Sequence, residues 1–419
     1  MEKAGKKYIL RDFGRLSTTE SKTALHKHTD APTGSNIFER CYPALDYIAK
    51  AKQDALWFEG RGQDSAPRTH LEAHDEQQDR FYGLNFATNN YLGLSYDEQT
   101  IEAAVEGAKT FGVNSAGSPL AFGATKYYMQ LKEEIGEFLS SKTLIYSVGW
   151  MCGFGALKGL VREWDHVVMD EFMDNGVVVG AEAATSSVTR FRHLDAGHME
   201  QVLSEIRSKD KENAIVVVTE ALYGWDSCSP NLVAYQAIAK KHNAFLFIHC
   251  AHDLGVLGDG GKGVWEEQGL QDRSNVMLVA TASKTLSINF GFVACTDANV
   301  PEYMKYFSTA YMFTNAINPV QANAALACLR TVRSHKGKLL RDKVLANCGY
   351  LRDKLAALGY EVLGRVSGFV CVKVGNEIVS RMIVRILMDN GKTSHMQRYT
   401  SITWSSPMLP RAMQWCGSV

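Results

Sequence analysis

Val276-Met-Leu-Val-Ala-Thr281-Ala-Ser283-Lys284-Thr285 decides how the chain is read. An unbroken apolar run of strand length closes on Thr-x-Ser-Lys, so a lysine stands just past the end of a strand buried on both faces. A second run upstream, Ala244-Phe-Leu-Phe-Ile-His249-Cys-Ala-His252-Asp253, also ends on polar residues. An amine partly withdrawn from water loses proton affinity and becomes nucleophilic toward a carbonyl. The two strand ends together point to an aldehyde cofactor bound as a Schiff base to Lys284, the chemistry of pyridoxal 5'-phosphate (PLP).

Working outward, further apolar strands are expected at Thr143–Ser147, His166–Asp170, Ala214–Glu220 and Gly291–Cys295. Amphipathic segments such as Met199–Ser208 and Leu232–His242 lie between them. Such alternation predicts an α/β fold with a mostly parallel sheet covered by helices on both faces. Ligands bind beyond the carboxyl ends of strands in these sheets, where His249, His252 and Lys284 fall. Helices are expected over Pro319–His335, Leu339–Leu358 and Ile378–Asn390, with a strand at Phe369–Val374. The resulting organisation is an N-terminal arm and linker (1–80), a large domain (81–310), a small α+β C-terminal domain (311–391) that reads as truncated, and an atypical tail (392–419). Within the arm, Gly60 to Arg80 is rich in Asp, Glu, His and Gln and reads as an exposed loop.

The chain has 419 residues, 46% of them hydrophobic, enough for a large core. Lysine plus arginine balances aspartate plus glutamate at 45 each, which gives no support for nucleic-acid or membrane-surface binding. Nine scattered cysteines form no C-x-x-C pair and are expected to be reduced thiols, not a zinc site or disulfide framework. The start, Met-Glu-Lys-Ala-Gly-Lys-Lys-Tyr8, has no apolar run behind it, and no stretch is long and apolar enough to span a bilayer. A cytoplasmic protein is the expectation.

Ser147-Val-Gly149-Trp150 follows a strand and opens a helical segment through Gly153–Leu160. A glycine at such a turn lets backbone N–H groups approach a phosphate, although many such glycines serve only the turn. Thr281 and Ser283 could add hydroxyl donors.

In this order and spacing, several stretches resemble the α-oxoamine synthase family of fold-type I PLP enzymes. They are Asn90-Tyr-Leu-Gly-Leu-Ser95, Phe111-Gly-Val-Asn-Ser-Ala-Gly-Ser118, Phe191-Arg-His-Leu-Asp195, Thr219-Glu220-Ala-Leu-Tyr223, Ala251-His-Asp-Leu-Gly255-Val-Leu-Gly258, Thr281-Ala-Ser-Lys284 and Phe313-Thr-Asn-Ala-Ile-Asn-Pro319. The family includes serine palmitoyltransferase, 5-aminolevulinate synthase and 8-amino-7-oxononanoate synthase. Ala251-His-Asp-Leu-Gly255 is similar to a natural-product branch that includes the synthase-like domain of saxitoxin biosynthesis. The resemblance implies Lys284 as the Schiff-base lysine and proton carrier, and His252 as partner of the cofactor's phenolic oxygen. It implies Gly149, Trp150 and Thr281 around the phosphate, Glu220 in the cofactor site, and Asn90 near the amino-acid substrate. Thr314 is implied to reach the phosphate of a partner subunit, hence a homodimer. The family reaction joins an amino acid to an acyl thioester, acyl-CoA or acyl-carrier-protein, giving an α-amino ketone with loss of CO₂.

The chain departs from this pattern at His249, which stands where the family places an aspartate against the cofactor's ring nitrogen. A neutral imidazole lacks the fixed charge that keeps that nitrogen protonated. The plainer reading of His249 is a half-buried strand-end histidine. Asp174 stands in place of the histidine that stacks on the ring; it reads as a solvated loop acid, or as a source of the missing charge. Tyr128 replaces another family histidine. The C-terminal strand carrying the family's substrate-carboxylate arginine is not found, and Arg411 is a poor stand-in. Three readings follow: an active acyltransferase with impaired or altered turnover, a degraded homologue acting as a regulatory or structural subunit, and an aminotransferase.

Overall fold

The computed structural model describes residues 36–391, apart from 55, 58 and 77, together with 414–418. The stretch from Gly60 to Arg80 is not a loop. It carries β1 (Gly62–Gln63) and β2 (His70–His74), which continue through β3 (Arg80–Leu84) as a three-stranded antiparallel sheet. Its apolar signal is thin because only one side of each strand is covered. Leu71 and Phe81 are buried while Glu72 and Tyr82 face outward, and Phe81 packs on Val384 and Met388 of the helix Glu377–Gly391.

The main sheet has seven strands: β4 (Lys142–Tyr146), β5 (His166–Asp170), β6 (Val188–Phe191), β7 (Ile215–Glu220), β8 (Phe245–Cys250), β9 (Val276–Thr281) and β10 (Gly291–Cys295). Their order is β4-β10-β9-β8-β7-β5-β6. β6, β5, β7, β8 and β9 run parallel, and β10 runs antiparallel to β9 and β4. β6 was not among the expected strands, since Val188-Thr-Arg-Phe191 is a short edge with exposed polar positions. Alternate residues supply two cores. Val217, Leu246, Ile248 and Leu278 face one side; Val218, Phe247, Met277 and Val279 face the other. Residues of the helices Gly149–Leu160 and Asn175–Ala184 join the second core, so those helices cover that face.

The C-terminal part contains β11 (Val362–Leu363), β12 (Phe369–Lys373) and β13 (Gln414–Ser418) in one antiparallel sheet. β13 corrects the expectation that no strand follows Gly391: it pairs along β12, Phe369 opposite Ser418 and Lys373 opposite Gln414. Arg411 lies outside the described residues, as do most of the tail and the first 35 residues of the arm. The expected reduced thiols hold for seven described cysteines, but Cys371 is disulfide-bonded; Cys416 lies opposite it in the strand register.

Candidate active site

The parallel register sets Glu220 beside His249, and His249 beside Val279, with Thr281 two residues further along β9. Alternation therefore places Glu220, His249 and Thr281 on one face, the face covered by the helices that begin at Gly149 and Asn175. The site lies where three carboxyl strand ends meet two helix N-termini.

No side chain caps the helix Gly149–Leu160, so the N–H groups of Gly149, Trp150 and Met151 leave its end without a capping partner. The close approach here needs glycine. A Cβ at Gly149 would fall well inside contact distance of Thr281 Oγ1, and one at Gly291 would come 2.8 Å from the Gly149 Cα. Thr281 Oγ1 hydrogen-bonds Ser283 Oγ at 3.0 Å, two hydroxyls set beside the uncapped helix end. This arrangement has the donor set that a phosphate requires. Trp150 is largely exposed, stacks on Phe154 at 5.7 Å and leans over Gly176, where a Cβ would come 2.7 Å from the indole.

Lys284 is half-buried. Burial lowers its pKa, against the opposing pull of Asp174, Glu220 and Asp253. Its loop is fastened by Ser287, whose Oγ donates to Asn90 Oδ1 at 2.6 Å. Asn90 Nδ2 donates to Ser95 Oγ at 2.7 Å and, more weakly, to the Pro67 carbonyl. Both ends of the Asn90 amide are thus engaged, the oxygen in holding the lysine loop and the nitrogen in fixing Asn90 to its own segment and to Pro67. The neighbouring Asn89 is exposed.

Asp174 is not a solvated loop acid. It is half-buried and caps the helix Asn175–Ala184, with Oδ1 accepting from Gly176 N at 2.9 Å, and its own N–H donates to Glu220 Oε1 at 3.0 Å. Glu220 is buried; burial first, then the Asp174 charge, raises its pKa well above the carboxylate range. His249 is 5% exposed, more buried than expected, and its Nδ1 has no hydrogen-bond partner. Burial lowers its pKa to about 4, with Lys284 adding to the effect and Asp174 opposing it, so the ring is neutral at pH 7. His252 is likewise pushed well below its ordinary value, by burial first and then by Lys284 and His249. Its Nδ1 hydrogen-bonds Tyr91 Oη at 2.7 Å.

Tyr91 and Asp253 lie in the quoted motifs Asn90–Ser95 and Ala251–Gly258, but their residue types alone do not mark them as site residues. Asp253 is fully buried, accepts from Val264 N at 2.9 Å, and is raised to about 6, chiefly by burial. Tyr128 is a core residue whose Oη meets Tyr311 Oη at 3.2 Å. Thr314 is half-buried, away from the cluster in sequence, with Phe313 beside it exposed. Among the described residues no group of His, Cys, Asp and Glu could hold a metal ion, and no helix is long and apolar enough to cross a membrane.

The pattern of the family "Aminotransferase class I and II" matches residues 83–406. The chain belongs to that family. Within it, the chain is similar to the α-oxoamine synthases. It is 29% identical to the 8-amino-7-oxononanoate synthases of Citrifermentans bemidjiense and Salmonella enteritidis, over 74% of this chain and 78% of theirs. The fold is that of fold-type I PLP enzymes. A serine palmitoyltransferase from S. paucimobilis, solved with a PLP–myriocin aldimine, superposes with a TM-score of 0.82 at 22% identity, covering 92% of this chain and 93% of that one. The 8-amino-7-oxononanoate synthase of Francisella tularensis gives 0.64 at 20% identity, covering 80% and 92%. The match to the family pattern continues past Gly391 into the segment expected to be atypical.

Proposed function

We propose that this chain holds PLP over Glu220, His249 and Thr281 and joins an amino acid to an acyl thioester, giving an α-amino ketone. The observation that carries this reading is the setting of Lys284: a half-buried amine of lowered pKa, ringed by Asp174, Glu220, His249 and His252, and close to an uncapped helix end suited to phosphate. The residues fit the cofactor. Gly149, Trp150 and Thr281 would hold its phosphate, Lys284 its aldehyde carbon, and the orphaned His249 Nδ1 is free for its ring nitrogen. When bound, PLP supplies a ring that takes up the electron pair of the bond broken at the amino acid's α-carbon.

The protein side of the reaction rests on the unprotonated amine of Lys284. Displaced by the incoming amino acid, it accepts the α-proton at Nζ. The α-carbon then bonds to the thioester carbonyl as the C–S bond breaks and the thiolate leaves; the carboxylate departs as CO₂, and the proton held at Lys284 Nζ returns to the α-carbon. His252 is kept neutral by burial and steadied through Nδ1 by Tyr91. Asp174 adds negative charge beside Lys284 and His249. His249, neutral and without a carboxylate's charge, would hold a bound ring nitrogen less firmly protonated than an aspartate there would, and would slow proton removal. A second reading, a homologue that has lost turnover and serves as a partner subunit, draws its support from the same neutral His249. A homodimer belongs to the first reading; light scattering that found only monomer would count against it.

The test is an absorbance spectrum of the purified protein with PLP, alongside Lys284→Ala. A visible band that borohydride fixes to Lys284, and that the variant lacks, is the expected result. No band in a folded protein would sink the proposal.

A further inference from the structure

His193 is not among the residues that would touch the cofactor, yet it is packed against three segments that carry them. Its ring is clamped between two carboxylates, Nδ1 donating to Asp170 Oδ1 and Nε2 to Asp226 Oδ2, each at 2.9 Å. Both ring nitrogens donate at once only in the imidazolium. Burial lowers its pKa, but the two carboxylates outweigh that and raise it to about 9, so the ring is charged at pH 7.

The first segment is reached through Asp170. The same Oδ1 accepts from Phe172 N at 2.8 Å, and the Phe172 ring lies 4.5 Å from the imidazole. Two residues on, Asp174 caps its helix and donates its N–H to Glu220 Oε1. The second segment is reached through Tyr223, whose ring stands edge-on to His193 at 4.6 Å. Tyr223 Oη accepts from Glu220 N at 3.3 Å and meets Thr219 Oγ1 at 2.9 Å, so it fixes the end of β7. The third is reached through Asp226. Its neighbour Ser227 is buried at a φ of 59°, a conformation that only firm surroundings maintain. The Ser227 carbonyl accepts from Arg365 N at 2.9 Å, and its Oγ meets Ser367 Oγ at 2.8 Å. Ser367 Oγ accepts in turn from Phe369 N, and the Phe369 ring lies 5.0 Å from that of His252.

We propose that His193 is a positioning residue for the reaction, setting Asp174, Glu220 and His252 around Lys284 by clamping the segments that carry them. This rests on the PLP reading above. Groups that meet a cofactor keep their geometry only when a layer behind them locks their backbone and rotamers, and here one cation ties that layer together. A merely structural His193 would change stability and leave the site of the folded protein as it was.

The experiment compares the full-length wild type with His193→Gln and with His193→Gln/Asp226→Asn. The glutamine amide donates to one carboxylate but turns its oxygen on the other. Adding Asp226→Asn gives that oxygen an amide donor, while the new side chain's own oxygen still accepts from Cys228 N as Asp226 Oδ1 does, so both links return without the charge. Affinity for PLP, titrated by absorbance, should weaken about tenfold in His193→Gln, the size of one lost charge-assisted hydrogen bond, and recover most of that loss in the double variant. In the cofactor-free proteins, hydrogen exchange at the amides of Asp174 and Arg365, read by mass spectrometry, should quicken and recover in the same order. Wild-type affinity and exchange in a folded His193→Gln protein, or losses that the double variant does not recover, would overturn the proposal. Asp226→Asn alone sets an amide against the ring N–H and serves if His193→Gln does not fold. It should show the same losses, smaller, and wild-type values there would equally overturn the proposal. If the wild type binds no PLP, the PLP reading fails, while the exchange comparison still decides the role of His193.

Discussion

His193 and His249 both sit at the carboxyl end of the large sheet, and both are withdrawn from water, but their surroundings differ. His193 donates from Nδ1 to Asp170 Oδ1 and from Nε2 to Asp226 Oδ2, each at 2.9 Å, with its ring set edge-on against Tyr223. Burial pushes its pKa down, but the two carboxylates outweigh that and hold it up at about 9. His249 has no such partners, stays neutral, and leaves Nδ1 unsatisfied. One imidazole is spent on architecture and the other is kept available. A buried polar atom without a partner is costly in a folded chain, and His249 Nδ1 carries that cost where His193 does not.

The largest effect that would test this contrast is at Lys284. Lys284→Ala should abolish the borohydride-fixed band, leaving the pocket without its covalent anchor. The two histidines should then separate by stability. His193→Ala strands Asp170 and Asp226 without a counter-charge and should cost about 3–5 kcal/mol in urea unfolding. His249→Leu should stay within about 1 kcal/mol, because it removes an unsatisfied group. Equal losses would erase the distinction.

The same pair should differ in pH dependence. The folded pKa of His193 lies above its unfolded value, so its contribution is fully present below about 6.5 and is lost as pH rises through about 9. The urea midpoint of the wild-type protein should fall across that window, and His193→Gln should flatten the fall. A smaller effect is expected from His249→Asp, which should speed exchange of a bound amino acid's α-proton with deuterium on the order of tenfold, read by NMR. An unchanged rate would mean that His249 does not meet the ring nitrogen. Smallest of all, Asn90→Ala should cost about 1 kcal/mol through the lost Ser287 contact, measured by thermal unfolding.

Much of this was legible in the chain because the parallel strands are buried on both faces and read as unbroken apolar runs, as in Phe245–Cys250 and Val276–Thr281. The polar strand His70–His74 hid for the opposite reason: it is covered on one side only, and its outward residues resemble a linker. β13 escaped because Gln414–Ser418 carries no strand-like apolar run. Lys284, His249 and His252 were visible as polar interruptions at strand ends. The role of His193 was not, since Asp170 and Asp226 are distant in sequence and only the fold brings them to one ring. Asp174 was seen as an odd residue, but its capping geometry depends on where the next helix begins.

The contact between Gly149 and Thr281 also bears on how this chain can change over generations. A Cβ at 149 meets the Thr281 Cβ as well as its Oγ1, so it collides unless residue 281 has already become glycine. The two positions are thus locked into a joint itinerary, in which a neutral step at one must wait for a permissive step at the other. Laboratory evolution that varies position 149 alone would find it immovable, whereas a library that also offers glycine at 281 has a route open.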